Sequence, residues 1–128
     1  MRILKNKLFS QWAKKSRITD RTLVSAVNEM AHGLYEANLG GHIYKKRLPL
    51  GHKGKSSGAR TIIAFKVKDK AIFIYGFSKG EKANITNKEE ESLKDLAKVY
   101  FGYDENQINK AIKAGLLIEV HANEKINS

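Results

Sequence analysis

Eight cations fall close together in this chain: Lys45, Lys46 and Arg47, then Lys53 and Lys55, then Arg60, and finally Lys79 and Lys82. The stretch that holds them, Tyr44 to Lys82, contains 11 of the 24 Lys and Arg residues against only Asp69 and Glu81. Its balance of +9 contrasts with +4 before it and −2 after it, so the charge is concentrated. Ammonium and guanidinium groups gathered in this way bind phosphates by displacing condensed counterions. They can also catalyse, because phosphoryl transfer asks for little covalent chemistry from a protein when preorganised cations stabilise the charge building on non-bridging oxygens. RNA supplies its own nucleophile, the 2′-hydroxyl, so such a cluster would require neither metal nor cofactor.

Other chemistries have weaker support. Gly51-His52-Lys53-Gly54-Lys55-Ser56 suggests a P-loop, but that pattern needs a glycine where Pro49 stands, and a strand rather than a helix follows. The glycines still let backbone N–H groups approach an anion. The four histidines, at 32, 42, 52 and 121, show no ligand spacing, and the absence of cysteine removes thiolate sites and disulfides. His52, inside the basic loop, could act as an acid or base, or be an exposed polar loop residue. Glu89-Glu90-Glu91 reads as the acidic first turn of a helix, not as paired catalytic carboxylates.

The elements that must position the cations are short strands. Apolar runs at Tyr44–Leu48, Thr61–Val67 and Ala71–Phe77 alternate with basic segments, and Lys68-Asp69-Lys70 is short enough to be a hairpin turn. In an antiparallel pair one strand's start lies beside its neighbour's finish, which brings Arg60 and Lys79 to one edge, where both could face one phosphate. Alternation along the third strand puts Ile72, Ile74 and Gly76 on one face and Phe73, Tyr75 and Phe77 on the other. Aromatics on a basic sheet can stack bases, and they also pack strands well.

Before this region, Met1–Leu4 can form a strand and Lys7–Ser16 a helix with Leu8, Trp12 and Phe9 inward. Thr19 or Asp20 caps a second helix with an apolar stripe of Leu23, Val27, Met30 and Leu34, and Asn38-Leu39-Gly40-Gly41 has turn chemistry. After it, Thr86-Asn87-Lys88-Glu89 matches a capping box, Leu93, Leu96, Ala97 and Tyr100 form an apolar face, and Gly102 ends the helix. Asp104 and Gln107 repeat the capping pattern, and Leu116–Val120 can add a strand. The expected fold is α+β: a small antiparallel meander sheet with two N-terminal helices on one face, followed by C-terminal helices. At 128 residues a single domain is expected, with residues 103–128 as a helical extension and tail on a body spanning 1–102.

A net charge of +11 and a pI near 9.9 point to a polyanionic partner, nucleic acid before an anionic membrane, since no segment pairs a broad apolar face with a lysine-rich one. No run of eighteen apolar residues and no signal-peptide core is present, so the expected location is the cytoplasm.

Three pieces taken together carry a resemblance: Lys45-Lys46-Arg47, then Gly54-Lys55-Ser56-Ser57-Gly58-Ala59-Arg60-Thr61, then Ile74-Tyr75-Gly76-Phe77-Ser78-Lys79-Gly80-Glu81-Lys82-Ala83-Asn84-Ile85. The chain resembles the RelE-like toxins of type II toxin–antitoxin systems, in the branch often called HigB-like, from Met1 through about Tyr100. The resemblance implies a RelE/ParE-like fold and a metal-independent bacterial endoribonuclease that cuts messenger RNA, usually in the ribosomal A site, by 2′-hydroxyl attack on the adjacent phosphate. It implies that Lys53 and Lys55 contact the backbone or activate the 2′-hydroxyl, that Arg60 stabilises the transition state, and that Lys79 and Lys82 do the same or bind RNA. Lys45, Lys46, Arg47 and Tyr75 would bind RNA, and Phe77 would pack under a base or stack on it. A cognate antitoxin, of the helix-turn-helix DNA-binding kind, would neutralise the toxin. Several relatives carry a Tyr or His near the end of the sheet region. Here that stretch is Ala83-Asn84-Ile85-Thr86-Asn87, which leaves Lys55, His52 and Tyr75 as candidates for proton transfer. The alternative is a non-catalytic nucleic-acid-binding module or regulator that uses the same surface.

Overall fold

A computed structural model describes residues 1–49 and 58–121. Local signals in the sequence account for most of the element boundaries. Strand β1 (Arg2–Asn6) passes directly into helix α1 (Lys7–Lys15), whose N-cap is Asn6: its carboxamide oxygen accepts the Phe9 N–H at 2.8 Å while its Nδ2 donates to the Ile74 carbonyl. Thr19 caps helix α2 (Asp20–Ala31). Four strands follow: β2 (Ala37–Gly40), β3 (Ile43–Leu48), β4 (Ala59–Phe65) and β5 (Lys70–Ser78). The two expected capping boxes both form, Thr86 with Glu89 opening α3 (Asn87–Phe101) and Asp104 with Gln107 opening α4 (Glu105–Lys113). Strand β6 (Leu117–Glu119) ends the described chain.

The sheet order is β2-β3-β4-β5-β1-β6. From β3 to β5 it is the expected antiparallel meander, which β2 extends by one strand. The first strand, however, does not stand apart from it: β1 lies parallel to β5 and is covered on its other side by antiparallel β6. Helices pack on both faces, not one. Phe9, Ala13, Leu23, Val27 and Met30 of α1 and α2 join Ile63, Phe65 and Phe73 on one side. Ala97, Ile108 and Ala111 of α3 and α4 join Leu4, Ile43, Ile62, Ile72 and Ile74 on the other. Each fully buried Leu, Ile or Phe contributes roughly 1.5–3 kcal/mol, so this central sheet, apolar on both sides, supplies most of the core's stabilisation.

Three local expectations change. Leu8 is 73% exposed, because the face of α1 that reaches the sheet carries Phe9 and Ala13, with Trp12 half-buried beside them. Asn38 to Gly40 belong to strand β2, and the turn is Gly41-His42. Val67 lies in the β4–β5 turn and not in the strand, with Lys68 at a φ of 63° and the Lys66 N–H bonded to the Lys70 carbonyl.

The fourth change governs the site. Ile62 pairs with Tyr75 but Ile63 pairs with Phe73, so β5 holds one extra residue, Ile74. This β-bulge reverses the alternation in the second half of β5. Phe73 packs with Phe9 on the α1–α2 face, and Gly76 comes to that same face beneath Trp12. Tyr75 and Phe77 are thereby turned to the α3–α4 face with Ile72 and Ile74.

Candidate nucleic-acid interface and active site

The paired strands bring the predicted residues together in rows. One row across β3, β4 and β5 is Lys45–Ile62–Tyr75; the next, one step toward the 49–58 end, is Arg47–Arg60–Phe77. Cross-strand partners share a face, so all six belong to the α3–α4 side of the sheet. The apolar cluster of that side takes in Ile62 and Tyr75, whereas Arg47, Arg60 and Phe77 lie past it.

Arg47 and Arg60 stand directly opposite one another. Like charges across a strand pair repel, and an anion held between them would remove that cost. Arg60 Nη1 is buried and has no hydrogen-bond partner among the described residues. A guanidinium nitrogen in that state is costly unless a ligand or water completes it. Phe77, 2% exposed, supports this row from β5, and its ring lies 5.8 Å from that of Tyr75 at 37°. Phe77 is therefore a floor beneath the surface.

Beside Tyr75 the surface becomes a linked set of polar groups. Lys82 Nζ donates to Glu89 Oε2 at 2.5 Å and to the Tyr75 hydroxyl oxygen at 3.4 Å, and it stands 5.6 Å over the Tyr75 ring. Its bond to Glu89, seconded by Tyr75, raises the Lys82 pKa above the ordinary 10.5. Glu89 is correspondingly held below 4.5, first by Lys82 and then by the Thr86 N–H. Lys45 reaches the Asn84 side chain at 3.4 Å. Tyr75 also borders a hollow of about 350 Å³ closed by Thr86, Lys88, Glu89, Ser92 and Leu93 at the start of α3.

Lys79 is exposed in the turn after β5, and the pairing of Ala59 with Ser78 sets that turn at the edge where β4 begins. The turn is braced from below. Glu81 accepts the Ser78 N–H at 2.6 Å and the Trp12 indole N–H at 3.3 Å; the Ser78 contact is the main reason its pKa lies below 4.5.

Not every predicted cation belongs here. Lys46 points to the α1–α2 face, is 3% exposed, and has its ammonium 2.6 Å from Glu29 and 2.9 Å from the Leu34 carbonyl. Its neighbours Lys45 and Arg47 lie on the opposite face because side chains alternate along β3. Lys53, Lys55 and His52 lie outside the described residues. The segment that carries them leaves from Pro49 and returns at Gly58, and the pairing of Leu48 with Ala59 fixes both ends beside Arg60.

Two contributors escaped the sequence reading. Glu89 was legible as a capping residue, but its Oε2 also holds Lys82, a use of the second oxygen that the capping pattern does not signal. Trp12 was read as core; its indole N–H reaches across to Glu81, a contact 69 residues apart that no local pattern encodes.

None of the described helices is long and apolar enough to cross a membrane. A comparison with curated proteins finds no match. A comparison with protein families matches residues 1–120 to the family described as the RelE toxin of the RelE/RelB toxin–antitoxin system. The match continues past Gly102 through α4 and β6, the strand that pairs with β1. A mostly antiparallel α+β sheet, a basic face organised on β3 to β5 and a family match over nearly the whole chain agree: this protein belongs to the RelE family of toxins, whose members work opposite a cognate antitoxin.

Proposed function

We propose that this toxin is an endoribonuclease that cuts messenger RNA on the ribosome and so arrests translation. The observation that carries the reading is the Arg47–Arg60 pair, with Arg60 Nη1 buried and, among the described residues, unpartnered, beside the ends of the segment that bears Lys53 and Lys55. In this mechanism the 2′-oxygen attacks the adjacent phosphorus as its proton passes to a base. The bond from phosphorus to the 5′-oxygen breaks, and that oxygen takes up a proton. The products are a 2′,3′-cyclic phosphate and a 5′-hydroxyl. Arg60 stabilises the charge on the non-bridging oxygens, and Lys79, at the same edge, adds to that field. Lys53 and Lys55 grip the backbone or activate the 2′-hydroxyl. Tyr75, whose hydroxyl stands beside the Lys82 ammonium, is the proton-transfer group among the described residues. Lys45 and Arg47 hold flanking phosphates, and Phe77 fixes the floor. The cognate antitoxin, of the helix-turn-helix kind, blocks this face or docks on the helices.

The test is primer extension on a defined messenger in a cell-free bacterial translation system, with and without ribosomes, comparing the native chain with Arg60→Ala. Discrete cuts in codon register that need ribosomes and vanish in the variant are expected. Cuts on free RNA would keep the nuclease and remove the ribosome. An intact messenger with RNA still bound would make the surface a binding module.

A further inference from the structure

A second basic hollow lies at the other end of the sheet. It has a volume of about 470 Å³ and forms where the Gly41-His42 turn, the end of β4 and the last turns of α3 meet. Lys66, Lys94 and Lys98 line it with His42, and Asp95 is the one acid among its described lining residues. Lys94 is paired with Glu90, whereas Lys66 and Lys98 form no ion pair among the described residues. Phe101 supplies an aromatic wall: Lys66 Nζ stands 4.9 Å and Lys70 Nζ 5.8 Å from its centroid, and the His42 ring meets it edge-on at 5.8 Å.

Gly41 and His42 are the two central residues between paired Gly40 and Ile43, with φ of 60° and 64°. Both central positions of such a turn take positive φ, a region in which His is among the better tolerated non-glycine residues. The chain keeps an imidazole there, and the imidazole meets Phe101.

We propose that this hollow holds one nucleotide of an RNA strand, its base against Phe101 and His42 and its phosphate between Lys66 and Lys98. The volume falls within the range of small-molecule pockets, larger than a bare phosphate needs, and a base can stack on Phe101 once Lys66 Nζ, 4.9 Å over that ring, swings away to the phosphate. On the nuclease reading above, on which this inference rests, Lys66 is six residues beyond Arg60 on the β4 path, roughly 20 Å away at strand rise, so the nucleotide held here is not the one cleaved. One strand engaging both places gains affinity because the second contact becomes intramolecular.

The experiment is an amide NMR titration of the ¹⁵N-labelled full chain with AMP, with inorganic phosphate and with a Glu-rich peptide, repeated on Arg60→Ala and on Lys66→Ala/Lys98→Ala. AMP should shift the Gly41, His42, Lys66, Lys98 and Gly102 amides saturably, in Arg60→Ala as in the native chain. The double variant should weaken AMP about tenfold or more, with the amides away from the hollow unchanged, because Lys98 is exposed and Lys66 only half-buried. Three results would each overturn the proposal: phosphate binding as tightly as AMP, which leaves the base no role; the peptide shifting these amides while AMP does not, which makes the hollow a protein-docking surface; and no shift at these amides at all.

Discussion

The brace beneath the β5 turn can be tested by one methyl group. Trp12 lies on Gly76 so closely that a Cβ there would stand within 3.0 Å of ring atoms Cε3, Cζ3 and Cδ2. The indole has little freedom to retreat, since Phe9 holds it at 5.5 Å on one side and Glu81 bonds its N–H on the other. In Gly76→Ala the ring must move and the bond to Glu81 must open. Overpacking of this kind costs about 1–3 kcal/mol, and the exposed hydrogen bond adds roughly 0.5 kcal/mol. Urea denaturation followed by circular dichroism should show the midpoint falling at constant m-value, and emission from the chain's one tryptophan should shift. Trp12→Leu in the Gly76→Ala background should recover part of the loss, with a favourable coupling of about 0.5–3 kcal/mol. A Gly76→Ala variant within about 0.5 kcal/mol of the native chain, with unchanged emission, would refute the packing and with it the idea that Trp12 steadies the segment bearing Lys79 and Lys82.

Arg60→Ala should lower single-turnover cleavage about 100- to 1,000-fold while leaving RNA affinity nearly unchanged, and Arg60→Lys should not restore the rate, because the planar fork is lost; equal small losses of rate and affinity would count against a catalytic arginine. Lys46→Ala should cost roughly 1–3 kcal/mol of stability, less than a fully buried pair because Glu29 is partly exposed, and should leave the salt slope of RNA binding unchanged; a slope reduced by about one would return Lys46 to the interface. Glu81, Glu89 and Glu119 all sit below the ordinary 4.5, Glu119 chiefly through Arg2, so their stabilisation is complete above that value and is lost as pH falls through their folded values. Stability should therefore decline from neutral pH into the acid range, and Glu119→Gln should reduce that decline; an unchanged profile would refute the Arg2 pairing. Lys82, raised above 10.5, has the opposite sign: its contribution is present below that value and is lost as pH rises through the folded one, so Glu89→Gln should make the chain less sensitive to alkali.

Much of this was legible because it is local. Thr86 with Glu89 and Asp104 with Gln107 announce their helices within four residues, and Arg60 and Lys79 reach one edge by hairpin geometry alone. The failures share a physical cause. A bulge at Ile74 leaves no mark in an alternating run of Ile, Phe and Tyr, so the period-two reading put Phe73 with Tyr75 and Phe77. Nothing in Tyr44–Leu48 indicates which of its cations faces inward, since the choice rests on Glu29 and the Leu34 carbonyl, which lie outside that stretch of sequence. The insertion of β1 beside β5 depends on side-chain fit over nearly seventy residues. No hydrophobic periodicity reports that.

That insertion has a consequence for how the toxin comes into being. β1, which precedes the other strands of the sheet in sequence, finds one neighbour in β5 and the other in β6, where Leu4 pairs with Glu119. Until β6 has been synthesised, β1 presents an open edge, and pairings of such long sequence separation are slow to form. The sheet that carries the basic face thus closes only when the two ends of the described chain meet. A chain made only as far as β5 holds Arg60 and Tyr75 in a sheet whose β1 edge is still open.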